Sequence, residues 1–459
     1  MINPDTPIEK KEVNGVEFLT YLQKYTKIYN LKITDNVDVQ QSIILRGDTV
    51  EIANCDFEGE LFFRANPSVK KFHLLDCTLK KRFLLFNSNL ELVNLARSTF
   101  LQYFAFKNLY AKILTIENCA INNSKELRLH EFAVDNFSFV NNEASNDIYI
   151  KPLAAKVVFL KGNDKKYQVT LSGRSDNGIY DQIRLFCYSQ HRTDFVFFNI
   201  NADMVQVVGS LKDSTIYTNN LSIRLGILDH FFNDGNLKIS NLQPVSTNSR
   251  LVIKKSVLGK TQINNCDFSK FQTVNLENSN ILEITPVNVV LCNNKNIASS
   301  NLFSTKENFR QLKIVSQKNE DIDNKLIYAR HEMNTLLTIA KETNASFNDK
   351  FILYTSWLSN DFGNNWSRAL IWLLSVSLLF YTAIKYLLGY VYFDVLLIGD
   401  EIGKFLIFLN PLHQFEKLFG ADANNQNTNG AILVDGISKI IGAYLLYQFV
   451  NAFRKYVKK

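Results

Sequence analysis

The chain has 459 residues, 46% of them apolar, and its 51 Lys and Arg outweigh 44 Asp and Glu to give a net charge of +7. Such a length allows two or three domains with a sizeable core, and such an apolar share excludes a disordered chain. The positive charge is spread along the sequence, which excludes the clustered basic face that nucleic-acid binding requires.

Residues 1–11 lack the short apolar core of a signal peptide, so the first domain is expected in the cytoplasm. Residues 16–29 space their apolar side chains helically and predict a helical cap within residues 1–35. From 36 to 300 the sequence repeats. Cys55, Cys77, Ser98 and Cys119 follow one another at steps of 22, 21 and 21 residues. Each sits in a quartet of polar, small, variable and large apolar residues, from Asn54-Cys55-Asp56-Phe57 to Asn118-Cys119-Ala120-Ile121, and the quartet returns at Asn265-Cys266-Asp267-Phe268. Half-step echoes fall at Asn87-Ser88-Asn89-Leu90 and Asn278-Ser279-Asn280-Ile281.

A period near 20 residues with short β-prone runs between polar corners predicts coils that bury their apolar faces by stacking. The small corner residues Cys55, Cys77, Ser98, Cys119 and Cys266 then stack on counterparts in the next coil, and corner asparagines take left-handed backbone angles. The six cysteines form no CxxC or Cys/His pattern, so no metal site is predicted. Between about 125 and 236 the period blurs around strand-like runs at 156–161 and 194–200, and irregular coils with insertions are expected there.

After Ser300 the apolar period changes from 2 to 3.6, predicting a helical connector over 301–362. It reads as a hairpin broken near 317–320, with Ile327, Ala329, Met333, Leu336, Leu337 and Ile339 on one face. Residues 363–459 predict a membrane domain with spans at about 367–390 and 431–452. Trp357, Trp366 and Trp372 stand at the entrance of the first span as interfacial anchors. Within the second, Asp435 and Lys439 are four apart and are expected to pair. Lys385 is placed to snorkel to headgroups. The run 405–412 is too short to cross and is interrupted by Pro411. The tail from Arg454 carries four positive charges, whereas 391–430 holds five acids (Asp394, Asp400, Glu401, Glu416, Asp422) against Lys404 and Lys417. The positive-inside rule then puts solenoid and tail in the cytoplasm, with two crossings.

These features predict a mainly β fold: a right-handed parallel β-helix (β-solenoid), a helical connector and a two-helix transmembrane region. The quartets, with Glu307-x-Phe-Arg-Gln-Leu-Lys313, Ala329-x-x-Glu332-Met333, Gly363-x-x-Trp366-x-Arg368 and the terminal Tyr447-Gln448-Phe449-x-x-Ala452-Phe453-Arg454-Lys455, resemble bacterial pentapeptide-repeat-type membrane proteins. That resemblance implies a bacterial inner-membrane location and, from some relatives, an ion-channel-like two-span module at this end. Residues 398–403 (Ile-Gly-Asp-Glu-Ile-Gly) lack the threonine and glycine spacing of a potassium-type filter.

No phosphate-binding glycine loop, zinc-protease helix or nucleophile elbow is present, so no cofactor and no catalytic residue is assigned. The expected partners are the lipid bilayer and a protein partner or a second copy of the chain. The reading is a non-enzymatic, membrane-anchored sensor or scaffold. The alternatives are an oligomeric pore lined by Asp435, Lys439 and Glu401, and a membrane-tethered solenoid enzyme.

Overall fold

A computed structural model describes residues 10–122, 126–188, 190–292, 295–299, 301–343, 345–389, 398–420 and 428–457. Asp394, Asp422, Lys458 and Lys459, used above for orientation, lie outside them. The chain forms two compact units, Met1–Ser300 and Asn301–Lys459.

The first unit is a parallel β-solenoid of about 13 turns. Its strands stack in register from coil to coil: Phe83 lies on Phe104 and Leu95 on Ile116, a step of 21 residues. Along each strand alternate side chains point inward, as in Phe83 and Leu85 or Phe104 and Phe106, all at most 1% exposed. The inward residues are aromatic enough to form a continuous column. Phe63, Phe72, Phe83, Phe100 and Phe104 follow one another at ring-centroid distances of 4.5, 6.4, 5.9 and 4.5 Å.

The corners explain the repeat. Asn54, Asp76, Arg97, Asn118 and Asn265 have φ between 50 and 52°, a left-handed bend that asparagine tolerates best among residues with a Cβ. The bend turns the next residue inward, and its polar atom serves the coil before it. The Cys77 N–H donates to Ser98 Oγ at 3.1 Å, which donates on to Ala96 O at 3.0 Å. The Ser256 N–H likewise donates to Ser279 Oγ at 3.2 Å, and the Phe231 N–H to Ser256 Oγ at 3.1 Å. A small side chain therefore fits here for two reasons: space, and an otherwise orphaned backbone donor. On the outside, corner amides form ladders, with Asn108 donating to Asn87 at 3.0 Å and Asn220 to Asn199 at 2.8 Å.

Three expectations change. The helix α1 spans Gly15–Lys24 only, capped by Asn14, with Phe18 and Leu22 buried. Lys11–Val13, Lys27–Tyr29 and Leu31–Ile33 already pair as strands, so the solenoid begins before residue 36. Glu51 holds this segment in register by accepting from the Tyr29 hydroxyl at 2.6 Å. The middle is also more regular than its sequence suggests, since Phe195, Ile216 and Leu237 stack at steps of 21. Insertions lengthen other coils there, to 25 residues between Val157 and Gln182. Corners such as Asn199-Ile200 and Asn220-Leu221 keep the asparagine but lack the small residue, which is why the period blurs.

In the second unit, α2 (Leu302–Lys318) and α3 (Ile322–Glu342) form a hairpin, joined by Lys313 to Glu332 at 2.6 Å and by stacking of Phe309 on His331 at 5.1 Å. Leu337 and Ala340 pack with Leu353 and Phe362 beside α4 (Phe347–Asn360). Helix α3 thus buries two opposite stripes, one with Leu326, Leu337 and Ala340 and one with Tyr328, Thr335 and Ile339. Ile327 lies between the stripes and is 44% exposed, against the single-face expectation. Three successive left-handed residues, Asp361, Phe362 and Gly363, turn the chain into α5 (Trp366–Leu387). The remaining helices are α6 (Ile398–Phe408), α7 (Phe415–Phe419) and α8 (Thr428–Val457). Helices α5 and α8 lie antiparallel: Trp366 meets Phe453 at 6.1 Å, while Tyr381 and Ile384 share a core with Ala431. Both are long and apolar enough to cross a membrane.

Candidate functional site

Charged side chains within the apolar helices form the most unusual chemistry of the second unit. Helix α6 stops at Phe408, ahead of Pro411, whose ring removes the backbone donor a continuing helix needs. The chain then bends tightly, with the His413 N–H donating to Asn410 O at 3.0 Å and the Leu412 N–H to Asn410 Oδ1 at 3.0 Å. This bend turns the His413 side chain inward, where it is 1% exposed, with its ring tilted against Phe408 at 4.9 Å.

His413 Nδ1 lies 2.8 Å from Asn410 O, and Nε2 lies 2.8 Å from Asp435 Oδ1 on α8. Each ring nitrogen faces an oxygen, so either neutral tautomer with an ionised carboxylate sets two lone pairs against each other. The other carboxylate oxygen of Asp435 accepts from Lys439 Nζ at 2.7 Å, an i,i+4 pair on one helix face. Ser438 Oγ donates to Asp435 O at 2.7 Å. The three ionisable groups form one mutually satisfied network.

A second cluster stands on α6. Glu401 accepts from Lys385 Nζ and from the Tyr381 hydroxyl at 3.0 Å, while Lys404 holds Asp400 at 2.7 Å. The ring of Tyr381 meets Phe408 at 5.5 Å and Phe419 at 5.7 Å, so an aromatic core separates the two clusters. Elsewhere, buried Asn360 at the end of α4 donates to Gln448 Oε1 at 2.6 Å, tying α4 to α8.

Of the residues singled out in the sequence, Asp435 and Lys439 are brought together, whereas Glu401 belongs to the other cluster. Lys385 is bound to Glu401 and does not stand alone as a snorkelling side chain. Residues 398–403 are helical, so their carbonyls are not arranged as a filter. Trp366 packs edge-on against Phe449 and Phe453, Trp357 lies under Arg368 at 5.2 Å, and Trp372 is half-buried. His413 and Gln448 were assigned no role from the sequence, because their partners lie 22 and 88 residues away. The Asn-Pro-Leu-His run was the available signal, as a helix stop that must turn a side chain inward.

In the solenoid the corner residues Cys55, Cys77, Ser98, Cys119 and Cys266 are all at most 2% exposed. Burial pushes the Cys119 thiol up to about 11 and raises Cys77 and Cys266, whereas the hydrogen bond with Cys77 lowers Cys55. The outer face carries a groove of about 610 Å³ across several coils. Ala111, Ala133 and Ala154 form its floor, and the pairs Glu91–Lys112 at 3.9 Å and Asp135–Lys156 at 2.8 Å line it. Tyr110 stands over it, 54% exposed. Comparison of the chain with protein-family models, curated proteins and solved structures finds no match.

Proposed function

We propose that this protein is a non-enzymatic, membrane-anchored sensor or interaction scaffold, held in the bilayer by α5 and α8 and reading a protein or small-molecule cue on the solenoid. One observation carries the membrane part. Of the residues in each apolar stretch only 22% are buried, and Ile371, Leu379, Leu433 and Ile440 stand open. A core helix of a soluble protein hides such side chains; helices that expose them over their whole length suit hydrocarbon.

The pairing of charges supports the same reading. A lone ionised group at bilayer depth costs about 2.5–3.5 kcal/mol on insertion scales. Asp435, Lys439, His413, Glu401 and Lys385 all have partners within the chain. The same pairing weighs against the pore, because none of the proposed lining groups is left free to meet an ion. The cue-binding part rests on the groove, whose alanine floor leaves room above a lattice of charges and one exposed tyrosine. The corner chemistry supports kinship with pentapeptide-repeat-type proteins. By the positive-inside rule, the basic tail and the acidic 391–430 segment would place solenoid and tail on the cytoplasmic side, and that kinship would make the membrane a bacterial inner one.

Carbonate extraction tests the anchor: the protein is expected to stay in the membrane pellet, and its release would overturn the reading. In sealed liposomes, ion flux that Asp435→Ala abolishes would establish the pore instead. For the groove, a photocrosslinker at Tyr110 is expected to capture a defined species that Ala133→Trp displaces without altering the melt.

A further inference from the structure

Helix α4 carries an apolar stripe with no protein cover. Phe347, Phe351, Tyr354 and Leu358 fall at i, i+4, i+7 and i+11, one line along the helix, and are 79, 58, 41 and 43% exposed. Part of the other side is anchored, with Leu353 buried beside Leu337 and Ala340 and Asn360 tied to Gln448, while Ile352, off the stripe, is 62% exposed. The stripe is therefore presented by a fixed helix, not by a fraying end.

Three cations edge the stripe, with the acids Glu342 and Asp349 next to Lys341 and Lys350 in the chain but not paired to them. Lys341 Nζ lies over the Tyr354 ring at 5.1 Å, Arg368 lies over Trp357 at 5.2 Å, and Lys350 is on α4 itself. Among the described residues no carboxylate lies within ion-pair distance of these three cations. The acid in the first turn, Asp349, is engaged by the Ser346 hydroxyl at 2.7 Å. Aromatic and aliphatic side chains edged by unneutralised Lys and Arg match the acyl boundary and the headgroups of an anionic bilayer surface. Trp357 joins this helix to Arg368 in the first turn of α5. Those two residues place α4 beside the point where α5 enters the proposed span.

We infer that α4 is an interfacial helix whose Phe347–Leu358 stripe lies in the surface of an anionic lipid bilayer, with Lys341, Lys350 and Arg368 on the headgroups. This rests on the two-span reading and adds a third membrane contact to it. Interfacial helices bury their apolar face about 5–10 Å into the headgroup and acyl boundary. The contact fixes the connector to the bilayer plane, so that α3 and α4 respond to lipid charge as well as to the spans.

The test uses the full chain in vesicles, either of neutral phosphatidylcholine or with added phosphatidylglycerol. All six native cysteines are buried, so single cysteines can be labelled selectively. Nitrobenzoxadiazole labels go on Phe351→Cys and Leu358→Cys in the stripe, Asp349→Cys off it, and Leu379→Cys on the exposed side of α5. In anionic vesicles the stripe labels are expected to be quenched several-fold more by shallow lipid-borne nitroxide than by aqueous iodide, with the reverse at 349. Lys341→Gln/Lys350→Gln/Arg368→Gln should lower the protection of the stripe labels. Iodide access at 351 and 358 equal to that at 349, with 379 in lipid, overturns this inference alone. Iodide access at 379 as well removes the two-span reading with it. Protection that appears only as protein-to-lipid ratio rises assigns the stripe to a second copy and overturns the lipid contact. Protection equal in neutral vesicles and unmoved by the triple substitution overturns the assignment to an anionic surface.

Discussion

At the corner that follows Cys119, the inward position is filled by Asn142, a fully buried residue where the coils before it carry cysteine or serine. Its amide performs both halves of the corner chemistry: Oδ1 accepts from the Cys119 N–H at 2.9 Å, and Nδ2 donates to Ile116 O at 2.8 Å. Asn142→Ala orphans the buried Cys119 N–H and removes one donor to Ile116 O, a carbonyl that keeps its strand-ladder pairing. The expected loss is about 1–3 kcal/mol, largely local to this coil. Asn142→Ser should recover roughly half, because a hydroxyl at Ser98 accepts from the Cys77 N–H at 3.1 Å in the equivalent place. The far-UV circular dichroism melt of the solenoid in detergent measures the stability, and hydrogen exchange at the Cys119 amide reports the site itself. An Asn142→Ala protein that melts with the parent, with unchanged exchange at Cys119, would show that size alone dictates the corner. Equal damage from Ser and Ala would show that the hydroxyl does not reach the donor.

The other predictions concern charge and backbone. Asp435→Ala leaves His413 and Lys439 facing each other without their carboxylate and should cost about 3–5 kcal/mol in a detergent unfolding titration. Lys439→Met should cost clearly less, because Lys439 is 30% exposed and Asp435 keeps His413; equal losses would refute the network. Asn118→Val puts a β-branched residue at φ 52° and should cost about 1–2 kcal/mol or more, whereas Asn118→Gly should stay close to the parent. The Arg97 guanidinium beside Asp76 and that of Arg224 beside Asp203 hold both carboxyls below the usual 3.8. Their folded values are depressed, so their contribution is present above that value and is lost as pH falls below it. Arg97→Gln should therefore flatten the acid limb of the stability curve, and an unchanged limb would show that this exposed pair contributes nothing.

How far the fold was legible depends on whether a rule is local. The Asn-Cys and Arg-Ser corners are local: a left-handed bend selects asparagine, and the inward step selects a small side chain, so both leave a mark in the sequence every 21 or 22 residues. Asn142 obeys the same rule by hydrogen bonding and not by size, and so it leaves no small-residue mark in the sequence. The coils around Phe195, Ile216 and Leu237 escaped because large residues such as Ile200 and Leu221 follow their asparagines. At the N-terminus, the apolar spacing of residues 25–29 mimicked a helix. There the pairing of Lys27–Tyr29 with Glu51–Ala53 decides for strand, and that partner is a full coil away. The Asp435–Lys439 pair was legible as an i,i+4 contact, while His413 needed the α6–α7 bend to reach it.

That bend decides how the charged cluster should be understood. A buried ion pair is weak evidence for stability, since well-packed apolar residues would often serve as well or better. What apolar residues would not supply is direction. Asp435 offers two oxygens on different sides, and the ring of His413 offers two nitrogens with fixed separation, so the Asn410–His413 turn has one seat against α8. Slipping α8 by one residue would rotate Asp435 by about 100° and strand three ionisable groups together. The cluster is thus best explained as the device that sets register between the α6–α7 segment and α8. Its members are engaged in that task, with Lys439 alone partly open, which favours the proposed anchor over a lined path. The same reasoning separates α4 from the rest of the unit: among the described residues Lys341, Lys350 and Arg368 on or beside it have no carboxylate partner, which is the feature the inferred contact with an anionic surface uses.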